Sequence, residues 1–584
     1  MNYDLTKSKV VKTSMWRAAL TMWSLIAEEK TTVIIALVAV VINSSLSLMA
    51  PWLIARAIDT SMAQHDYHGV LMYALLILGV CAVALVTSYL QIRLMGGVGQ
   101  RSLYRLRNRI FTKLQSLPIA FFNQNKAGDL ISRINNDTDN MRQFFSQSLV
   151  QFFGSIFMMG GAAIFLLALN VRLGAATLAP AVVLLFITLS LSAWVKRQNL
   201  CSAQSLGGMS SEIQESLNNF KVIIAFNRRD YFKKRFQEVN NINYAAAIRA
   251  GIANNTFTPL YGLAANIGQL IVLVYGIALI VSGQFTIGLL ISFLSYATNF
   301  YNPLRQLAAL WANFQTALAS WDRVNDILLM ENDLPLVPES SAKGSDAVLQ
   351  FQDVSFGYPD GQEILHRINL NLEKGKTYAL VGPTGGGKTT TASLMARLYD
   401  PTKGTVLLDG KDIRSYSDDD RTKKIGFILQ EPVLFTGTVR ENILYGNDEY
   451  ATHSNEQLEQ IIHSAGLEAL LERFDKGLET NLTASGDAVS LGQKQLIAFI
   501  RAVLRNPELL ILDEATANID TVTEQLLDNI LRKLPASTTK VIIAHRLNTI
   551  ENADEIFFVN AGEVTQAGSM EHAVDMLLHN TRTS

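Results

Sequence analysis

At 584 residues, with 49% hydrophobic and only 17% charged side chains, the chain is too long for one domain and too apolar for an ordinary soluble protein. A formal net charge of −1 gives no electrostatic footprint for a nucleic-acid partner, and none is expected. Two cysteines, Cys81 and Cys201, cannot build a disulfide framework or a metal site.

The N-terminal stretch Met1 to Lys12 is polar and holds Asp4, unlike a cleaved signal. In SMWRAALTMWSLIAEEK, Trp16, Leu20 and Trp23 fall at i, i+4 and i+7, which predicts an amphipathic helix lying in the membrane interface. Uncharged runs then extend from Thr31 to Ala55, Gly69 to Ile92, Gln143 to Val171, Leu173 to Val195 and Ala250 to Leu304. A spanning helix needs about 20 apolar residues, so each of the first four gives one span and the last gives two. The break in the last run is predicted at SGQFT, Ser282 to Thr286, which makes six spans. None of them contains Asp, Glu, Lys or Arg, which argues against an internal proton relay or a fixed charged ligand site. Nine Lys and Arg lie in each of segments 93–142 and 196–249, against at most one in the other loops. The positive-inside rule therefore puts both termini in the cytoplasm of a multi-pass protein of the cytoplasmic (inner) membrane.

The helical pattern continues past Leu304 until ENDLPLVPESSAKGSDA, where proline, serine and glycine replace apolar periodicity. The predicted organisation is a cytoplasmic N-terminal segment (1–30), a six-helix transmembrane domain with long cytoplasmic extensions (31–330), a linker (331–346) and a soluble α/β domain (347–584).

The strongest signal in the second half is YALVGPTGGGKTT. An apolar strand runs into Gly382-Pro383-Thr384-Gly385-Gly386-Gly387-Lys388-Thr389 and then, through Thr390, into a helix, matching GxxxxGK[ST]. Glycines let the backbone wrap a phosphate and the helix N-terminus adds partial positive charge. Lys388 should reach the β- and γ-phosphates of ATP, and the Thr389 hydroxyl should hold Mg²⁺. Downstream, LLILDEA ends in Asp513, which would support Mg²⁺, and Glu514, which would orient or deprotonate the attacking water.

With these motifs in order, the chain resembles the ATP-binding cassette (ABC) transporters, of the exporter type with six membrane helices fused to one P-loop nucleotide-binding domain. The resemblance implies that Tyr358 in FGYPDG stacks on adenine, that Gln430 in GFILQEPVLF meets Mg²⁺ and the attacking water, and that His545 in VIIAHRL contacts the γ-phosphate. It also implies that Asp520 in TANID lies where two such domains touch. Short helices near Phe121 to Gly128 and Glu212 to Phe220 would transmit closure of the nucleotide-binding domains.

The family's LSGGQ signature, which completes the ATP site of the opposite subunit, is here Val489, Ser490, Leu491, Gly492 and Gln493. Its third position has lost its glycine, but Ser490 reads as an N-cap with Leu491 at the first helical position, so phosphate binding should be weakened or reshaped and not abolished. Just upstream, TASGD offers Ala484 and Ser485 ahead of Gly486, where exporters commonly carry a glutamate. Both departures fall in the half that serves the partner's ATP, which favours a heterodimer of two half-transporters over a homodimer.

The expected function is ATP-driven export of a hydrophobic or amphipathic compound: a drug-like molecule, a lipid or an apolar peptide. Tyr261, Tyr275, Phe293, Tyr296, Phe300 and Tyr301 offer either an aromatic cavity for such a cargo or packing between helices. An importer of a siderophore-like ligand on the same fold, or an ATP-gated channel or regulatory subunit, are the alternatives.

Overall fold

The computed structural model describes residues 3–5, 20–332, 334–338, 346–358, 361–483, 489–513, 521–543, 553–568 and 570–579. They form two compact units, one of Lys9–Gln115 and Gly128–Leu329, the other of Met1–Ser8, Ser116–Ala127 and Met330–Ser584.

The first unit is helical. Its long elements are α1 (Lys30–Arg56), α2 (Tyr67–Gln115), α4 (Ala127–Leu169), α5 (Val171–Asn218), α7 (Arg229–Asn255), α8 (Phe257–Val281) and α9 (Ile287–Leu329). The short α3 (Ile119–Gln124) belongs to the second unit, and α6 (Phe220–Ala225) follows α5. At about 1.5 Å per residue, α2 reaches roughly 70 Å, more than twice the hydrocarbon thickness of a bilayer. The extension follows from the sequence, where apolar residues up to Ile92 give way to amphipathic ones with no proline to stop the helix, which runs on through Gly96, Gly97 and Gly99. The interfacial stretch is helical from Leu20 to Trp23 and tightens to a 3₁₀ turn over Ser24–Glu29, while Trp16 lies outside the described residues.

All six predicted spans are helices, and the break between the last two falls at residues 282–286, where Gly283 takes a φ of 73°. Among the described residues five helical stretches are long and apolar enough to cross a membrane. The sixth, the first part of α9, carries Ser292, Ser295, Thr298, Asn299 and Asn302, and so is less apolar than expected. Several of its polar groups are satisfied by neighbouring helices, as a low-dielectric setting demands. Ser292 donates to the Pro51 carbonyl at 2.6 Å and the Tyr296 hydroxyl to the Leu48 carbonyl at 2.9 Å, while Gln269 donates to Thr298 at 3.1 Å. Asp59, just beyond α1, caps α9 by accepting from Thr286 Oγ1 at 2.6 Å and from Gly288 N at 2.9 Å.

Gly288 lies so close to α1 that a Cβ there would run into the Ala55 carbonyl and the Asp59 carboxylate. Gly288→Val is therefore expected to force the two helices apart at a cost of about 1–3 kcal/mol. Thermal unfolding of the purified protein checks this, and an unshifted midpoint would show that the close α1–α9 approach contributes nothing.

The second unit holds the sheets. Six strands run in the order β12-β11-β3-β10-β9-β6, comprising β3 (Thr377–Val381), β6 (Ile425–Ile428), β9 (Leu509–Asp513), β10 (Thr539–Ile543), β11 (Glu555–Asn560) and β12 (Glu563–Gln566). All neighbours are parallel except β11 and β12. Strands covered on both faces read as unbroken apolar runs, and β9, LLILD, is buried along its whole length. A second, antiparallel sheet, ordered β2-β1-β4-β5, contains β1 (Ala347–Gly357), β2 (Glu363–Glu373), β4 (Lys403–Leu408) and β5 (Lys411–Asp412). Two short strands, β7 (Gly437–Thr438) and β8 (Asn481–Leu482), pair antiparallel. The helices of consequence are α10 (Lys388–Met395), α11 (Val439–Ile443), α12 (Asn455–Ser464) and α13 (Leu491–Val503).

Candidate nucleotide site

In an open parallel sheet, ligands bind beyond the carboxyl ends of the strands. The carboxyl ends of three strands lie there side by side: Ile543 of β10 pairs in register with Leu380 of β3, just ahead of the glycine loop, and with Asp513 of β9. Glu514, Asp520 and His545, predicted from sequence to act here, lie outside the described residues, as do Ala484, Ser485 and Gly486.

The loop turns sharply out of β3. Gly382 takes a φ of 147°, which side chains avoid, and a Cβ there would run into the Val559 carbonyl. Gly387, at φ 112°, is the N-cap of α10. Pro383, Thr384, Gly385 and Gly386 form the bend between them, with Thr384 and Gly385 exposed at its tip. Lys388 is buried, and its ammonium donates to the Gly382 and Pro383 carbonyls at 2.8 and 3.0 Å. The loop thus holds a cation at its centre, ahead of a helix N-terminus, which suits a polyphosphate. Thr389 is exposed on the first turn and donates to the buried Asp513 carboxylate at 3.3 Å. A hydroxyl and a carboxylate at this separation suit a divalent cation with oxygen ligands.

Tyr358 sits beside this site but is half-committed to packing. Its ring meets Phe356 and Tyr399 edge to face at 5.0 and 5.3 Å, and its hydroxyl approaches Thr390 Oγ1 at 3.4 Å. Gln430 is exposed just after β6, and its carbonyl accepts from Gln495 Nε2 at 3.4 Å. Gln495 was missed by the sequence reading. It lies on α13, is buried, and connects the glutamine loop to the helix opened by the altered signature.

That helix begins as the sequence predicts. Ser490 is its N-cap and accepts from Gln493 N at 3.2 Å, while Gln493 Oε1 accepts from Ser490 N at 2.9 Å, a reciprocal capping box. Leu491 occupies the first helical position, and Gly492 the second. The Leu491 side chain is 40% exposed, so it stands in solvent in the isolated chain and does not distort the cap. Arg501 anchors the far end, donating to the Asn442 carbonyl at 2.8 Å and lying over the Tyr445 ring at 5.4 Å. Burial pushes its guanidinium below the ordinary arginine value.

Around Tyr399 the same unit gathers the short helix expected near Phe121, which spans Ile119–Gln124. Asn123 donates to the Tyr399 hydroxyl at 2.8 Å. The N-terminal residues join it: Tyr3 N donates to Gln124 at 2.8 Å, Leu5 N to Asn125 at 3.1 Å, and Asn125 donates to the Tyr3 carbonyl at 2.9 Å. No sequence signal pointed to this clasp, since lone Asn and Gln side chains reading a backbone leave no periodicity. Burial raises the neighbouring Asp400 carboxyl above its usual range, against the hydrogen bond from Arg397. The helix expected at Glu212 to Phe220 is displaced: α5 continues to Asn218, and the short helix starts only at Phe220 because Asn219 leaves helical geometry.

In the helical unit most of the aromatic residues on the last two spans pack against neighbouring helices, with Tyr275 and Phe300 partly buried. Phe293, Tyr296, Tyr301 and Tyr261 are buried. Tyr296 stacks on Phe165 at 5.0 Å, and the Tyr301 hydroxyl donates to the Thr177 carbonyl at 2.7 Å.

Comparison with known proteins agrees with both halves. Residues 33–304 match the model of the ABC transporter transmembrane region, and residues 365–517 the model named ABC transporter. An uncharacterized ABC transporter ATP-binding protein of Bacillus subtilis, YfiC, is 35% identical over 95% of this chain and 91% of its own length. A fatty acid ABC transporter ATP-binding/permease protein of Mycobacterium bovis is 32% identical over 86% of this chain and 79% of its own. A multidrug resistance ABC transporter ATP-binding and permease protein of Lactococcus lactis subsp. cremoris is 29% identical over 93% of this chain and 90% of its own.

Proposed function

The chain belongs to the ABC transporter family, a multi-pass membrane ATPase coupled to transport, and from that premise we propose that it exports hydrophobic or amphipathic compounds as one half of a two-chain exporter. The observation that carries the reading is the Lys388 loop with its Thr389–Asp513 pair, fused to apolar helices whose spans contain no Asp, Glu, Lys or Arg. Relatives named for multidrug resistance and for fatty acid transport support an apolar cargo.

In this reading both termini are cytoplasmic and two nucleotide-binding domains sandwich two ATP molecules. Gly382 to Gly387 wrap the phosphates, Lys388 exchanges loop carbonyls for phosphate oxygens, and Tyr358 lies against the base. Thr389, Asp513 and Gln430 would hold Mg²⁺, which offsets phosphate charge. Glu514 takes a proton from water as its oxygen attacks the γ-phosphorus and the bond to the ADP oxygen breaks; His545 steadies the γ-phosphate. Ser490 and the amides opening α13 complete the site of the opposite chain, with Asp520 at the contact between domains. Closure must be favoured by contacts the nucleotide makes only across that interface, since a ligand shifts an equilibrium only through differential affinity.

Because the signature is altered while the chain's own ATP-binding elements match, we place it in an asymmetric pair whose partner carries an intact LSGGQ and an altered acid at the position of Glu514. Proteoliposomes containing the chain, alone and with its companion, decide the function. Uptake of a fluorescent hydrophobic compound into inverted vesicles should require ATP hydrolysis. Conductance supported by a non-hydrolysable analogue would instead make the protein a gated channel.

A further inference from the structure

A cavity of about 460 Å³ opens within the helical unit between the interfacial stretch, α4 and α9. Trp23 contributes one wall, Phe144 and Phe153 a second, and Leu310, Trp311 and Phe314 a third. The rings are ordered against one another, Phe144 and Trp311 each lying within 5.5 Å of Phe314 between centroids. The interfacial stretch is pinned beside them, because Trp321 Nε1 donates to Thr21 Oγ1 at 2.9 Å. Every lining side chain is apolar or aromatic, so water in the cavity would find few partners, and spaces of this kind stay dry or take an apolar guest.

The surroundings define the guest. Both α4 and α9 pass from these rings to ion pairs within about three turns: Asp139 bonds Arg142 just ahead of Phe144, and Asp137 pairs with Arg323 beyond Phe314. On the interfacial stretch, Glu28 and Glu29 follow Trp23 and pair with Arg105 and Arg101 at 2.8 Å. Trp23 and Trp311 remain 43% and 44% exposed, as tryptophans at the level of lipid headgroups do. An apolar slot that ends in a charged layer, on helices that cross a bilayer, has the polarity profile of a lipid.

We propose that this cavity binds an acyl chain of a bilayer phospholipid, drawn from the cytoplasmic leaflet. The site goes beyond the export reading and does not depend on it, since the chain would be held without nucleotide and whether or not the protein moves cargo.

The full chain in nanodiscs, with increasing mole fractions of phosphatidylcholine brominated in mid-chain, tests the site by tryptophan quenching without ATP. A held acyl chain gives quenching that remains after the bulk lipid is washed away in detergent and is lost when Trp23 and Trp311 are both replaced by phenylalanine. Native mass spectrometry supplies a second readout: one phospholipid should survive detergent washing in the original protein and be lost in Leu310→Trp, which fills the slot. Quenching that vanishes with the bulk lipid, or that survives the double replacement, overturns the proposal. Absence of quenching at Trp23 and Trp311 would also overturn it, with protein filling the slot in place of lipid. ATPase activity, measured on the same samples, reports on the export reading separately.

Discussion

Lys388→Ala and Glu514→Gln are expected to remove ATP turnover by different routes. The Lys388 ammonium is buried and bonded to two carbonyls of its own loop, so alanine removes the phosphate-facing charge and also leaves those carbonyls without their donor. Losing a preorganised charge at a phosphoryl-transfer site costs on the order of 10²–10³ in rate, and ATP affinity should fall with it. Arginine should not restore activity, because a planar fork cannot sit where a point charge bridges two carbonyls inside a tight loop. Glu514→Gln should behave differently, retaining ATP binding while losing a comparable factor in turnover, since it changes only the group placed to receive a proton. Steady-state hydrolysis and fluorescent-nucleotide binding, measured together in nanodiscs, separate the two. A Lys388→Ala protein that hydrolyses ATP at near the original rate would remove the glycine loop from the mechanism.

The nucleotide half was legible because its signals are local. A glycine loop between a buried strand and a helix, and an apolar strand ending in acid, are read from adjacent residues, and the sheet register then brings those segments to one edge. The Ser490 cap was equally plain, since S-x-x-Q before an apolar run names its own geometry. What sequence could not give was pairing at a distance. Nothing in Gln495 announces that it reaches the Gln430 carbonyl, nor in Asn125 that it reads the backbone of Tyr3, because one polar side chain and one main-chain group leave no periodic trace. The last span was found from its lack of charge, yet its serines and asparagines make sense only once Pro51, Leu48 and Asp59 are seen across from it. The aromatic residues there were open between cavity and packing for the same reason, and only the helix contacts of Tyr296 with Phe165 and of Tyr301 with Thr177 show what these two touch.

In the chain assembled with itself, where each altered signature faces an intact Glu514, Leu491→Gly is expected to raise ATP turnover, and the size of the rise reports on the oligomer. In the isolated chain Leu491 causes no local strain: Ser490 caps the helix, Gln493 closes the capping box, and the leucine side chain points into solvent. The obstruction therefore exists only when a partner's γ-phosphate approaches the helix N-terminus, where a leucine displaces a phosphate oxygen from the backbone amides. A hydrogen bond to a charged group is worth about 1.5–3 kcal/mol, so restoring one across the interface should speed hydrolysis at that site by roughly tenfold or more. Glycine in the first turn costs the helix about 1 kcal/mol at most, too little to offset that gain while the cap stands. In Ser490→Ala the cap itself is lost, at about 1 kcal/mol, and turnover should fall instead of rise. If the chain alone is nearly inactive and Leu491→Gly activates it, the leucine marks the weaker half of an asymmetric pair. Should the unmodified chain already turn over fast as a dimer with itself, and glycine change nothing, the amides reach phosphate past the leucine and the homodimer is the better description.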